Sequence, residues 1–116
     1  MDIYKLKNMG KGWFVGDFEP SAFKTKDFEV CYRIHPAGEE WDHHYHKEAV
    51  EINLLISGKM TMLDQTLSSG DVFVVNPYEI ADPVFIEDCA IVCVKTPSVI
   101  GDKYIINEID DDEEGV

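Results

Sequence analysis

Basic residues are scarce in this 116-residue sequence. Ten lysines and arginines stand against 23 aspartates and glutamates, which gives a formal net charge of −13. A surface of this charge repels the phosphate backbone of nucleic acids and the headgroups of anionic lipids. We therefore expect neither a nucleic-acid partner nor a membrane partner.

Long apolar runs are also missing. The first seven residues, Met1 to Lys7, contain no apolar segment of signal-peptide length, and no run in the sequence approaches the length that crosses a bilayer. These two absences predict a cytoplasmic location.

Cysteine is sparse, with only Cys31, Cys89 and Cys93. Three cysteines cannot all pair within one chain, and each of them lies in sequence typical of a strand. We therefore predict reduced and largely buried thiols rather than a disulfide framework.

The length and composition indicate one folded domain. A chain of 116 residues with 45% hydrophobic residues can bury a single core. The domain is expected to span residues 1–107. Residues 108–116 are dominated by aspartate and glutamate, which repel one another and favour a flexible, solvated tail.

Helical periodicity is almost absent, and short β-branched runs recur at regular spacing. The predicted strands cover residues 11–16, 27–35, 49–57, 59–63, 72–75, 84–86 and 90–95, with a further edge strand at 105–106. Gly58 is expected to turn the third of these strands into the fourth as a hairpin. The pattern predicts an all-β sandwich or barrel.

Two histidines dominate the centre of the sequence. His44 and His46 share a face only on an extended strand, since strand side chains alternate with a period of two. Glu51 would face the other side of an unbroken strand, so a turn or bulge around Lys47 and Glu48 must reset the register. With that reset, His44, His46 and Glu51 form a ligand set for a divalent transition metal.

The neighbouring His43 should face away from this pair, because it lies between two residues of the opposite parity. A role in solvent, or in hydrogen bonding to a ligand residue, is expected for His43 rather than coordination.

The spacing of these residues resembles a known motif. Gly38, His44-Tyr45-His46, Glu51 and Gly58 match every defined position of the first conserved motif of the cupin superfamily. The second cupin motif is only half present. Its opening fits residues 70–75, but Ala81 stands where the family's last metal-binding histidine would be.

Two carboxylates are candidates to replace the missing histidine. Asp82 is the nearest substitute, and it is the fourth ligand that we predict. Because Pro83 restricts the backbone conformation of Asp82, Glu79 remains an alternative. Two imidazoles and two carboxylates would suit manganese, iron or zinc, with nickel a further option, whereas the trio alone resembles the facial triad of iron oxygenases.

The resemblance implies a double-stranded β-helix, or jelly-roll barrel, with a metal inside. It leaves two functions open. One is a metal-dependent oxygenase, isomerase, epimerase or lyase acting on a small polar or sugar-derived metabolite. The other is a non-catalytic module that binds a sugar or nucleotide sugar, which the missing histidine favours. Small cupins commonly pair, so a homodimer is expected, with the apolar strand 13–15 covering an edge.

Strand parity suggests which residues line the cavity. If Glu51 points inward, Asn53 does so as well and can orient a ligand or a metal-bound water. On the strand around Cys31, either Cys31, Arg33 and His35 face inward or Tyr32 and Ile34 do. Arg33 inside would imply an anionic substrate. Tyr78 is expected near one end of the barrel, as a further candidate to contact substrate.

Overall fold

The computed structural model describes residues 1–106, and these residues form a β-barrel with almost no helix. Two single-turn 3-10 helices, Leu6–Asn8 and Gly10–Gly12, precede the first strand. Eleven strands follow: β1 (Trp13–Gly16), β2 (Phe23–Lys24), β3 (Glu29–His35), β4 (His44–Tyr45), β5 (Val50–Ser57), β6 (Lys59–Met62), β7 (Gln65–Ser68), β8 (Val72–Val75), β9 (Val84–Phe85), β10 (Cys89–Thr96) and β11 (Tyr104–Ile105). The all-β prediction is confirmed.

The strands form three sheets. The largest has six strands in the order β2-β1-β3-β10-β5-β8, and a three-stranded sheet has the order β7-β6-β9. Strands β4 and β11 pair with each other. A continuous apolar cluster joins the six-stranded and three-stranded sheets: Leu55, Met60, Met62, Ala81, Phe85, Cys89 and Ile91.

Alternation along β3 settles the question that parity left open. Cys31 and His35 are buried and line the interior together with Arg33, while Ile34 is 60% exposed on the outer face. Strand β10 lies antiparallel between β3 and β5, so that Cys93 is opposite Cys31 on one side and Asn53 on the other. The cavity-facing side of the large sheet therefore carries thiol and amide groups near its centre.

All three cysteines are buried and unpaired, which agrees with the prediction of reduced thiols. Burial raises the pKa of Cys31 to about 11. Burial also raises the pKa of Cys93 well above its ordinary value, so both groups are neutral thiols at physiological pH.

The predicted hairpin at Gly58 is wrong. Strand β5 pairs with β10 and β8, whereas β6 pairs with β7 and β9 in the other sheet. Gly58, with φ at +102°, therefore carries the chain from one sheet to the other instead of reversing it within a sheet. A Cβ at this position would lie 2.3 Å from the carbonyl oxygen of Asp88, so the close crossing requires glycine.

Strand β1 is not an edge strand. It pairs with β2 on one side and β3 on the other, and Trp13 lines the cavity. The predicted role of residues 13–15 in covering an edge therefore does not hold. The predicted acidic tail, 108–116, lies outside the described residues, and the part of the chain that the structure describes has no helix with the length and apolar character to cross a bilayer.

Candidate functional site

A cavity of about 660 Å³ lies between the two larger sheets. Its apolar lining residues include Met60, Met62, Ala81, Phe85 and Ile91. Its polar lining residues include Arg33, His35, His44, His46, Glu51, Asn53 and Lys95. This mixed lining gives a small molecule both apolar contacts and a set of hydrogen-bonding groups.

His44 and His46 lie at the centre of the cavity wall, and both are buried. Strand β4 is held in place by a bridge in which His44 and Ala81 exchange backbone hydrogen bonds of 3.2 and 2.7 Å. The two imidazole rings have centroids 5.4 Å apart at an interplanar angle of 77°. His43 is exposed, as its parity predicts.

Both imidazoles are oriented through the same nitrogen. His44 Nδ1 lies 3.1 Å from the carbonyl oxygen of Asp42, and His46 Nδ1 contacts the carbonyl oxygen of Asp102. A carbonyl can only accept, so each Nδ1 carries the proton and each Nε2 presents a lone pair. Burial lowers the pKa of His44, which keeps that ring neutral. His46 Nε2 is buried and has no hydrogen-bond partner within residues 1–106.

The register reset between His46 and Glu51 is built by Asp102, a residue that the sequence did not single out. The Asp102 carboxylate accepts hydrogen bonds from the backbone N–H groups of Lys47 (2.9 Å), Glu48 (3.1 Å) and Ala49 (2.9 Å). Burial opposes ionisation of Asp102, but these three donors outweigh it and lower its pKa. The turn predicted around Lys47 and Glu48 is present, and its cause lies more than 50 residues away along the chain.

Glu51 and Asn53 extend from β5 into the cavity, on the face that parity predicts. Glu51 Oε1 accepts a hydrogen bond of 3.2 Å from the Cys93 thiol. Asn53 is 5% exposed, and its side-chain Nδ2 has no partner among the described residues. An unpaired buried donor is energetically costly, so Asn53 is set up to meet an acceptor in the cavity.

The donor set fits a divalent metal ion only in part. Two neutral imidazoles with Nδ1 fixed by carbonyls are the arrangement that metal-ligating histidines adopt. Across residues 1–106, however, no group of three or more His, Cys, Asp or Glu side chains lies close enough to hold an ion. The structure thus assembles the histidine pair, while the Glu51 carboxylate is engaged by Cys93.

Asp82 is not brought to the histidines. Its Oδ1 accepts a 2.8 Å hydrogen bond from the backbone N–H of Leu63, and Asp82 does not line the cavity. The bridge to His44 turns Ala81 inward, and alternation then directs the next side chain away. The small side chain of Ala81 lies at the wall where the family histidine was expected.

The two other candidates near Asp82 also point elsewhere. Glu79 Oε1 accepts a 2.7 Å hydrogen bond from the backbone N–H of Asn76, which closes a surface turn. Tyr78 is 65% exposed and stacks on Tyr45 outside the cavity, so the structure does not place it against a substrate.

A second cluster surrounds Glu39 at the rim of the cavity. Glu39 Oε1 accepts hydrogen bonds from Trp41 Nε1 (2.6 Å) and His35 Nδ1 (3.2 Å), and it lies 3.8 Å from the Arg33 guanidinium. His35 in turn stacks on Phe85 with a centroid distance of 4.6 Å. Sequence reasoning placed Arg33 correctly as one alternative but gave no signal for Glu39 or Trp41.

Comparison with known proteins identifies the fold. No family model matches the sequence, and no curated protein matches it. Solved structures do match, and one is an uncharacterised protein with a double-stranded β-helix domain from Klebsiella pneumoniae. It is 22% identical with a TM-score of 0.63, and the match covers 70% of this chain and 71% of that chain.

Two further matches are a cupin-2 domain protein and an enzyme. A cupin-2 domain protein from Shewanella frigidimarina is 21% identical with a TM-score of 0.52, over 62% of this chain and 72% of that one. The DMSP lyase DddQ from Ruegeria pomeroyi is 17% identical with a TM-score of 0.61, over 77% of this chain and 46% of that one. This chain therefore has the double-stranded β-helix fold.

Proposed function

We propose that the protein is a metal-dependent enzyme that acts on a small polar or sugar-derived metabolite in the barrel cavity. The observation that carries the proposal is the pair of buried imidazoles, each fixed through Nδ1 to a backbone carbonyl, with His46 Nε2 left unpaired. A buried lone pair without a partner is costly in a folded protein unless a ligand completes it.

His44, His46 and Glu51 are the residues that would hold the ion. Two nitrogens and one carboxylate oxygen suit iron, manganese or zinc, and nickel is compatible with the imidazoles. For Glu51 to join the pair, its carboxylate would have to give up the hydrogen bond from the Cys93 thiol. When bound, such an ion acts as a Lewis acid that polarises a substrate oxygen.

The chain's own residues would position the substrate. Asn53 has an unpaired amide donor that can orient a substrate oxygen. The apolar side chains of Met60, Met62 and Phe85 also line the cavity and would limit the contact between substrate and water. One matched structure is described as a lyase, which shows that this fold accommodates an enzyme and supports this reading over a purely structural barrel.

One observation favours the second candidate function, a non-catalytic module that captures a small ligand. The cavity wall has Ala81 where the family's last metal-binding histidine was expected, so one nitrogen donor is missing. In this alternative the protein binds the same class of molecule in the same cavity and releases it without a chemical reaction.

The metal proposal is tested by comparing two neighbouring histidines. We expect the purified protein to retain a divalent ion, measured by inductively coupled plasma mass spectrometry after dialysis against each candidate metal. His46→Ala should lose the ion, whereas His43→Ala should retain it, because His43 is exposed and points away. Equal metal content in the two variants, or none in the unaltered protein, would contradict the proposal.

A further inference from the structure

We propose that the molecule bound in the cavity has a carboxylate, and that Arg33 and Lys103 bind this group beside Trp41. The inference deepens the proposed function, on which it rests only for the location of the site. It commits to an anionic ligand, which neither the fold nor the histidine pair specifies.

Basic residues are enriched around the cavity of a strongly acidic protein. Four of the ten basic residues line it, namely Lys11, Arg33, Lys95 and Lys103, against five of the 23 acidic residues. In a chain of net charge −13, an anion therefore meets less repulsion at this cavity than the net charge implies.

Most of the acidic residues that also line the cavity already have partners. Glu29 lies 3.8 Å from the Lys95 ammonium and accepts a hydrogen bond from Ser98. Asp102 is occupied by backbone N–H groups, and Glu51 by the Cys93 thiol. Within residues 1–106, none of these three carboxylates lies within 4.0 Å of the Lys103 ammonium.

Lys103 is one of the cavity cations without a carboxylate partner among the described residues. Within residues 1–106 it makes no ion pair, and its ammonium lies 4.7 Å from the centroid of the Trp41 ring. Burial, together with repulsion from Lys95 and Lys11, lowers the pKa of Lys103. An anion at this position would relieve that repulsion.

Arg33 approaches the same indole ring, with its guanidinium carbon 5.4 Å from the Trp41 centroid. Its nearest carboxylate oxygen, on Glu39, is 3.8 Å away, which is longer than a charge-assisted hydrogen bond. Glu39 instead fixes the indole through the 2.6 Å hydrogen bond from Trp41 Nε1. Arg33 therefore keeps N–H donors for a ligand, and a planar guanidinium matches a carboxylate.

A buried donor deeper in the cavity gives independent evidence for a ligand oxygen. Asn53 Nδ2 is unpaired, and a metal ion cannot satisfy it because both are electron-poor. The cavity therefore suits a molecule that has an oxygen acceptor for Asn53 and a negative charge that faces Arg33 and Lys103.

The backbone favours a carboxylate over a phosphate. Phosphate sites commonly use the N-terminus of a helix, where several N–H groups converge. The only helices among the described residues are single 3-10 turns outside the barrel, Leu6–Asn8 and Gly10–Gly12. An anion at this site is therefore held by side chains, and the planar guanidinium of Arg33 matches a carboxylate.

The test uses acids and their neutral amides as matched probes. Acetate, lactate, succinate and glucuronate are titrated into the full chain against acetamide, lactamide, succinamide and glucuronamide. The Trp41 indole N–H signal is followed by nitrogen-15 nuclear magnetic resonance. We expect at least one acid to bind about tenfold more tightly than its amide, as measured from the shift of this signal. The affinity for the acid should fall as the salt concentration rises.

Two lysine variants provide the control. Lys103→Met should weaken binding of the acid about tenfold. Lys47→Met should leave that binding unchanged, although it removes the same charge from a lysine that also contacts an aromatic ring. Arg33→Met should weaken binding in the same direction as Lys103→Met. The inference would be overturned if the amides bound as tightly as the acids, or if no acid shifted the Trp41 signal. It would also be overturned if the Lys103→Met and Lys47→Met variants bound the acid equally well.

The titrations are run on the protein as purified and again after chelation with EDTA, and metal content is measured in every sample. Discrimination between acid and amide that persists without metal supports the anion site even if the metal proposal fails. Metal retention without discrimination overturns the anion site and leaves the metal proposal standing.

Discussion

At the scale of single residues, Asp102 organises the candidate site although it is not one of the predicted metal ligands. Its carboxylate holds three successive backbone N–H groups, and its own carbonyl fixes the proton of His46 on Nδ1. The side chain thus shapes the turn that brings Glu51 to the inner face, and the backbone orients the imidazole. Asp102 therefore contacts both His46 and the backbone turn that leads to Glu51.

Replacing Asp102 by alanine should therefore destabilise the fold and weaken metal binding together. Hydrogen bonds to a charged acceptor contribute about 1.5–3 kcal/mol each, and loss of the group should lower the free energy of unfolding by roughly 3 kcal/mol in urea. Asp27→Ala, which removes an exposed carboxylate, is the control. An Asp102→Ala protein as stable as Asp27→Ala would contradict this role.

Local spacing was enough to predict the histidine pair, the exposed position of His43 and the turn after His46. It could not identify Asp102, because a contact across 53 to 56 residues leaves no local pattern. It was wrong to place Asp82 beside the histidines, since the inward position depends on the bridge between Ala81 and His44. Long-range contacts decide these assignments.

At the scale of elements, strand positions were predictable and strand partners were not. The runs that became β3, β5, β8 and β10 are apolar and β-branched, so their propensity is visible. Strand β7, Gln65–Ser68, was missed because its residues are mostly polar and exposed. The Gly58 hairpin was wrong because a single glycine between two strands indicates a turn but not which sheet the chain enters next.

The crossing at Gly58 provides an element-level prediction. Gly58→Ala should lower the free energy of unfolding by roughly 3 kcal/mol or more, since the new Cβ meets the Asp88 carbonyl at 2.3 Å and Cys89 at 2.8 Å. Gly70→Ala has a similar φ of +92° but nothing within 4 Å, so it should cost only about 1 kcal/mol of backbone strain. Equal losses on thermal or urea unfolding would show that the close crossing is not the cause.

At the scale of the whole molecule, the outer face of the large sheet is apolar. Outward side chains on β3, β5, β8 and β10 include Ile34, Ile52, Leu54, Ile56, Val72, Val74 and Val92. Ile52 lies beside Val74, and Leu54 beside Val72, so the patch is continuous across strands. These side chains are all uncharged, so a second copy of this acidic chain can approach here without repulsion.

We therefore predict a homodimer through this face rather than through β1. Val74→Lys should shift the sedimenting species to the 13.2 kDa monomer at micromolar concentration. Val84→Lys, on a comparably exposed valine of the opposite sheet, should leave the dimer intact. Monomeric unaltered protein, or dissociation by both variants, would contradict the prediction.

The reach of Asp102 also has a consequence for how the protein is made. The ligand motif from Gly38 to Gly58 is synthesised well before Asp102, so a nascent chain exposes His44, His46 and Glu51 while the turn between them is unformed. His46 then lacks its carbonyl partner on Asp102, whereas His44 already has its partner on Asp42. The geometry of the proposed metal site therefore cannot form until Asp102 has emerged from the ribosome.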